Sequence, residues 1–361
     1  MNLIKWMPAI IVMGLPIVFV LALFPAGAAM AGPSEAAPVS FKIATIAPGG
    51  STWHRIMEEL NTDLKEKTQN RISFKIYPGG VAGDEKAVIS KIRIGQLEGG
   101  AFTGFGMGEI LPEERIMDLP FLFANDKEFE RVRTGLTPYF ENAFAEKGFV
   151  LIGWMDLGEV YFYGVKPIDN LKQLKNTKIW VWEGDTLALT CWQELGVAPV
   201  PLSVVDVMMG LQTGMVDTVY NTALGAISFQ WYVRTKYRVS TPMTFVTATL
   251  LVRKNVFDKL CSEDRQTLIM LSRNHFDQLN QQIRKQNAES ITVMESRGVQ
   301  KVDWPEADVN ELKKSSDSVY HKLIGEQYSK ELFDKVIQLR DGTAANVNPS
   351  DIHESEKSKE K

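Results

Sequence analysis

Residues 171–221 read LKQLKNTKIWVWEGDTLALTCWQELGVAPVPLSVVDVMMGLQTGMVDTVYN, and their hydrophobic rhythm changes four times. Lys178–Trp182 has the pattern of a strand. Asp185–Leu195 carries apolar residues at helical spacing and stops at Gly196, a residue that ends helices without steric cost. Pro199–Leu202 is extended, Val204–Gln212 is a second helix closed by Gly214, and Val216–Tyr220 is again a strand. Strands joined by helical crossovers imply a parallel sheet covered by helices.

The same order occurs upstream. Phe41–Ile46 is a strand stopped by Pro48-Gly49-Gly50, and Ser51 caps an amphipathic helix over Thr52–Gln69. Ile72–Tyr77 is a second strand, Asp84–Gln96 a second helix and Ala101–Thr103 a short third strand. Two similar α/β units are therefore expected, and not one continuous sheet. Between them lie a long helix over Asp126–Lys147 and two strands, Gly148–Met155 and Tyr161–Val165. Downstream, Phe245–Val252 is a strand and Ser262 caps the longest helical stretch, which ends at Gly298. About 35 helical residues would extend ~50 Å, longer than one small lobe, so this helix should run along both units. Ala307–Ile324 and Lys330–Leu339 are further helices, and residues 342–361 read as a polar, disordered tail.

Composition narrows the function. The chain has 361 residues, 45% hydrophobic and 23% charged, with a net charge of −4, so it is globular and lacks the basic field of a nucleic-acid binder. Two cysteines, Cys191 and Cys261, rule out a disulfide-scaffolded module and a Cys-rich zinc site; they read as buried thiols or as a pair. The four histidines are scattered, and no metal or cofactor site is expected. No G-x-S-x-G, H-E-x-x-H, P-loop or C-x-x-C is present, so an enzyme is not expected. Met1–Ala31 has Lys5, an apolar run over residues 7–24 and Ala29-Met30-Ala31 as a small-residue cleavage site. This reads as a secretory signal peptide, with an uncleaved anchor as the alternative, and places the product in the periplasm.

The stretches FKIAT, ISFKIYPGG, GDEKAVISKIRIGQLEG and MDLPFLF, followed by Gly196–Pro201, Asp206-Val207, Leu211–Asp217 and Asn221, resemble the solute-binding proteins of TRAP transporters, in the dicarboxylate-receptor (DctP-like) class. The resemblance covers about residues 40–340. It implies a two-lobe periplasmic-binding-protein-like α/β fold, with a cleft, hinge strands and a long helix bracing both lobes. Lobe 1 would take residues 40–157 with a return at about 245–300, and lobe 2 residues 158–244 with the helices at about 301–340. The implied function is capture of a small organic solute and its delivery to a membrane permease of small and large subunits. An organic acid or a more apolar, aromatic compound is the expected solute. A shuttle for lipids or hydrophobic compounds and an exported hydrolase are the alternatives.

The implied site departs from the family in one place. Where the resemblance leads one to expect an Arg gripping a carboxylate, this chain has Trp180. Three readings stay open. Trp180 is a platform for an apolar or aromatic solute; or a carboxylate is anchored elsewhere, by Arg93 or backbone donors; or the pocket is repurposed. Asn221 matches the family's site asparagine, with a turn role as the alternative. Trp182, Glu183, Trp53 and Trp154 lie near element ends expected to face the cleft, and Thr103 and Phe105 end a strand where such folds expose ligands. Asp84 reads as a helix-start carboxylate as readily as a ligand contact.

Overall fold

The computed structural model describes residues 38–343. The expected signal peptide and most of the expected tail lie outside them. In chain order the elements begin with β1 (Val39–Ala44), α1 (Thr52–Lys67), β2 (Ile72–Tyr77), α2 (Glu85–Arg93), β3 (Gly99–Thr103) and α3 (Gly104–Ile110). A 3-10 turn at Pro112–Asp118 leads to α4 (Asp126–Glu146) and β4 (Phe149–Gly164). Then come α5 (Leu171–Leu174), β5 (Trp180–Trp182), α6 (Thr186–Glu194), β6 (Val200–Leu202), α7 (Val207–Thr213), β7 (Thr218–Thr222) and α8 (Ala223–Ser228). The chain closes with β8 (Tyr237–Val239), β9 (Thr244–Arg253), α9 (Lys254–Phe257), α10 (Ser262–Ser296), β10 (Gln300–Val302), α11 (Glu306–Leu323) and α12 (Lys330–Arg340).

Local signals explain most of these boundaries. Ser51 Oγ accepts from His54 N at the start of α1, and Asp84 Oδ1 accepts from Ala87 N at the start of α2. α10 runs 35 residues, as its spacing requires, although Cys261 and not Ser262 is its N-cap. Its first half buries Leu268, Phe276, Leu279 and Ile283 in one core, and Met294 near its end enters another, so it braces both lobes.

The sheet differs from expectation in two ways. It is one eight-stranded sheet in the order β10-β8-β4-β9-β3-β1-β2, with β7 also on β4; only β5 and β6 form a separate parallel pair. It is also mixed, because β9 runs antiparallel to both β3 and β4. The two expected strands around residues 149–165 are a single 16-residue strand. Its pairing with β9 slips between Leu151 and Gly153 and again between Asp156 and Gly158. These bulges bend the strand without breaking it, so β4 passes from one lobe into the other.

Four hydrophobic cores cover this frame. Two flank the β2-β1-β3 half, one under α1 and α10, the other under α2, α3 and α4. Two enclose the second half, around Tyr163, Trp180 and Trp231, and around Phe162, Trp192 and Trp304. The C-terminal helices bridge the cores: Leu312 of α11 enters the core around Phe162 and Trp192, whereas Val319, Tyr320 and Leu323 of α11 and Leu332, Val336 and Leu339 of α12 join the core that holds α4. Contact there is close enough that a Cβ on Gly135 would meet Leu339 Cδ2 at 2.7 Å.

Candidate functional site

A cavity of about 440 Å³ lies where the two lobes meet. Its wall takes Thr45 from the end of β1, Thr103 and Phe105 from β3 and α3, Trp180 and Trp182 from β5, and Tyr220 and Asn221 from β7. Trp53, Phe162, Trp192 and Phe229 add further aromatic surface. The ring of Phe105 stacks on Trp182, with centroids 4.8 Å apart and planes at 17°. An aromatic pair thus spans the two lobes.

Four charged side chains reach this wall: Glu85, Arg115, Asp118 and Asp185. Arg115 follows α3 and Asp185 caps α6, yet Arg115 Nη2 donates to Asp185 Oδ2 at 3.1 Å. Arg115 Nε lies 2.9 Å from Asp118 Oδ2. Burial works against the Arg115 charge, but Asp185 and Asp118 more than offset it and hold the guanidinium ionised. Asp118 is itself buried, which pushes its carboxyl up to about 6 despite Arg115. A carboxylate oxygen of Asp118 sits so close to Gly104 that a Cβ there would fall 1.7 Å from it; glycine alone fits. Behind Arg115, Glu114 is fully buried; burial first and then the Asp118 charge hold its carboxyl well above the usual range.

Glu85 ties the turn between β3 and α3. It accepts from Thr103 N at 2.8 Å, Thr103 Oγ1 at 2.9 Å and Gly106 N at 2.8 Å. Those bonds favour the ionised form, but burial outweighs them and pushes the carboxyl up to about 7. The folded protein therefore keeps a proton that the unfolded chain releases near 4.5. The stability tied to that proton is full below pH 4.5 and falls by about 3 kcal/mol at most as pH rises to about 7. Glu85→Gln, which cannot titrate, is expected to flatten this slope in urea unfolding measured across that range. An unchanged slope would show that Glu85 titrates normally.

The structure sorts the sequence-derived site residues. Trp180, Trp182, Asn221, Trp53, Thr103 and Phe105 share the cavity wall. Glu183, Arg93 and Trp154 do not. Glu183 is exposed on the turn after β5. Arg93 is exposed at the end of α2, 3.4 Å from the Glu109 carbonyl, so it anchors nothing in the cavity. Trp154 faces away because neighbours on β4 point to opposite sides: Met155 meets Trp53 Nε1, while Trp154 packs on Phe140 of α4. Asp84 caps α2 and does not line the cavity.

Trp180 reaches the wall but is held as a core residue. It is 2% exposed, its indole N–H donates to Leu202 O at 3.0 Å, and its ring meets Trp182, Tyr220 and Trp231 within 5.7 Å. Asn221 Oδ1 accepts from Thr222 N, and Thr222, not Asn221, caps α8. Both cysteines are free thiols; Cys191 lies in the cavity wall, where burial pushes it up to about 12. The sequence reading missed Glu85, Arg115, Asp118 and Asp185. A signal existed in ILPEERIMDLPFLF, where charges interrupt an otherwise apolar run. Among the described residues no group of three or more His, Cys, Asp and Glu is placed to hold a metal ion. None of their helices is long and apolar enough to cross a membrane.

Residues 43–327 match the family described as bacterial extracellular solute-binding protein, family 7 (DctP). The chain belongs to this family. A solute-binding protein of Chromohalobacter salexigens is 27% identical over 59% of this chain. The match spans 64% of that relative, under two thirds of its length. The sialic acid-binding periplasmic protein SiaP of Vibrio cholerae is 22% identical over 77% of this chain and 87% of its own. Among solved structures, a TRAP periplasmic solute-binding protein from Xanthobacter autotrophicus, with bound β-D-galacturonate, superposes with a TM-score of 0.78 at 22% identity. It covers 83% of this chain and 99% of its own, and shares the two-lobe fold with this family 7 protein.

Proposed function

We propose that this family 7 protein is the periplasmic receptor of a TRAP-type secondary transporter. It captures one small organic solute between its lobes, closes on it, and delivers it to a membrane permease of small and large subunits. The observation that carries this reading is the aromatic-walled cavity of about 440 Å³ at the meeting of two lobes that β4, β9 and α10 join. Two-lobe frames of this kind close by bending where few elements cross. The Vibrio relative binds sialic acid by name and the Xanthobacter structure holds a sugar acid. In this chain Arg93 stands off the cavity and position 180 is a tryptophan, so the wall suits a more apolar, aromatic solute. The buried ion pairs in that wall fit a solute with a charged or polar end better than a lipid chain.

Solute binding is expected to reduce the radius of gyration in solution scattering. It should also raise thermal stability, by about 2.7 kcal/mol at a hundredfold excess over Kd. A solute that saturates the protein and changes neither would refute a closing receptor. Export is part of this reading: protein isolated from the periplasm should begin near Gly32, and retention of Met1 on membranes would oppose it.

A further inference from the structure

The polar groups of the cavity wall differ in what they offer a solute. Both Glu85 oxygens accept bonds inside the turn between β3 and α3. Both Asp185 oxygens are engaged as well, one by Arg115 Nη2 at 3.1 Å and the other by Ala188 N at 3.0 Å. Asp118 Oδ1 is enclosed by protein, and its Oδ2 lies 2.9 Å from Arg115 Nε. Arg115 is the one cationic side chain of the wall among the described residues. That side chain is 10% exposed. Its Nε is enclosed and its Nη2 donates to Asp185, whereas Nη1 has no bond among the described residues and is not enclosed. Nη1 alone brings two N–H donors. Tyr220 lines the same wall, and its hydroxyl is likewise unbonded among the described residues and not enclosed. Its charged neighbours are Asp185, Arg115 and Asp118, so it opens on the same part of the cavity. Burial holds the phenol well above its usual range, so it stays a neutral donor.

Resting on the receptor reading above, we propose that Arg115 and Tyr220 together hold a carboxylate of the solute, in place of the arginine that position 180 lacks, with the solute's apolar or aromatic body along the stacked Phe105–Trp182 wall. Arg115 Nη1 donates to one carboxylate oxygen and the Tyr220 hydroxyl to the other, and the guanidinium makes its bond a charge-assisted one. Arg115 stands in the turn after α3 of the first lobe and Tyr220 in β7 of the second. A carboxylate held by both therefore also ties the lobes together. The neighbouring carboxyl groups decide how its charge is borne. Asp118 faces Arg115 and Glu114 of its own turn, Asp185 of α6 and Tyr220 of β7, and Glu85 of α2 faces Glu114. Burial pushes Asp118 up to about 6 and Glu85 up to about 7. A solute carboxylate beside them pushes both higher, so binding takes up protons and tightens as pH falls through these values.

The test is calorimetric titration of the full protein, freed of bound solute, with 3-phenylpropanoate, the neutral 3-phenylpropan-1-ol and the cationic 3-phenylpropylammonium. The anion is expected to bind about tenfold or more tighter than the alcohol, and the ammonium no tighter than the alcohol. Anion affinity should rise about tenfold from about pH 7.5 to about pH 5.5, where the probe stays ionised, with proton uptake. Arg115→Lys, which keeps the charge but not the planar fork, should bring the anion and alcohol affinities close together. Tyr220→Phe, which breaks no bond among the described residues, should cost the anion about threefold relative to the alcohol and decides the matter even if the Arg115 variant does not fold. If the alcohol equals the anion, if the ammonium binds tightest, or if folded variants keep the full preference, the assignment is overturned while the receptor stands. If no probe binds, the assignment is overturned; the receptor reading falls as well only if natively isolated protein carries no small molecule.

Discussion

Arg115→Ala is expected to destabilise the protein by about 3–5 kcal/mol at neutral pH. The loss does not measure the worth of the ion pairs. It is the cost of leaving Asp118 and Asp185 buried without their counter-charge, at 8% and 5% exposure. Arg115→Met, which keeps much of the volume, is expected to lose nearly as much, because the charge and not the packing is missing. Urea unfolding at two pH values distinguishes this account from a packing loss. Asp118, already held up to about 6, would go higher without Arg115 and take a proton in the folded state. The deficit should therefore shrink between about pH 7 and about pH 5. A deficit of the same size at both values would mean that charge is not its cause.

Trp180→Ala should cost about 3–5 kcal/mol, the range for deleting a large buried aromatic. The indole fills space between Trp182, Tyr220 and Trp231, and the substitution also removes its N–H from the Leu202 carbonyl, which keeps only the longer bond from Glu183 N at 3.3 Å. Trp180→Phe keeps ring area but not the N–H, and should lose about 1–3 kcal/mol. Trp180→Arg tests the family comparison. A guanidinium at 2% exposure would sit among rings with the Leu202 carbonyl as its one evident partner. It is expected to destabilise the protein at least as much as alanine does, and not to create carboxylate binding. A stable Trp180→Arg protein that takes up D-glucuronate would show that the pocket keeps an acid-binding frame and that Trp180 alone blocks it.

The parts of this molecule that were legible in the sequence are those fixed by local chemistry. The segment at 171–221, the capped helices α1 and α2 and the 35-residue α10 follow from spacing, caps and glycine stops. The continuity of β4 was not legible, because Asp156-Leu157-Gly158 looks like a break between strands. Only the register against β9, about ninety residues later, shows a bulge instead. The position of Trp154 was hidden for a related reason. Its neighbour Met155 faces Trp53, so Trp154 must face α4, and that depends on where the bulges fall.

The charged cluster was the hardest part to foresee. Arg115 and Asp185 stand 70 positions apart; the apolar run around Arg115 is the one local hint of burial, and nothing local to Asp185 gives any. Each alone reads as a surface or helix-start charge; only the meeting of α6 with the turn after α3 removes both from water. Trp180 shows the opposite difficulty. A departure from the family at a site position reads as a ligand platform; in the fold Trp180 lines the cavity and is also held by its donor bond to Leu202 and three ring neighbours, a double placement that the sequence does not show.

The cavity between the lobes is expected to hold one small solute. Native mass spectrometry of protein isolated without denaturation from cells that make it naturally, compared with the same sample denatured, tests it most directly. The native protein should be heavier by one small organic molecule, lost on denaturation. Equal masses in the two states, in protein shown to be folded, would contradict the claim.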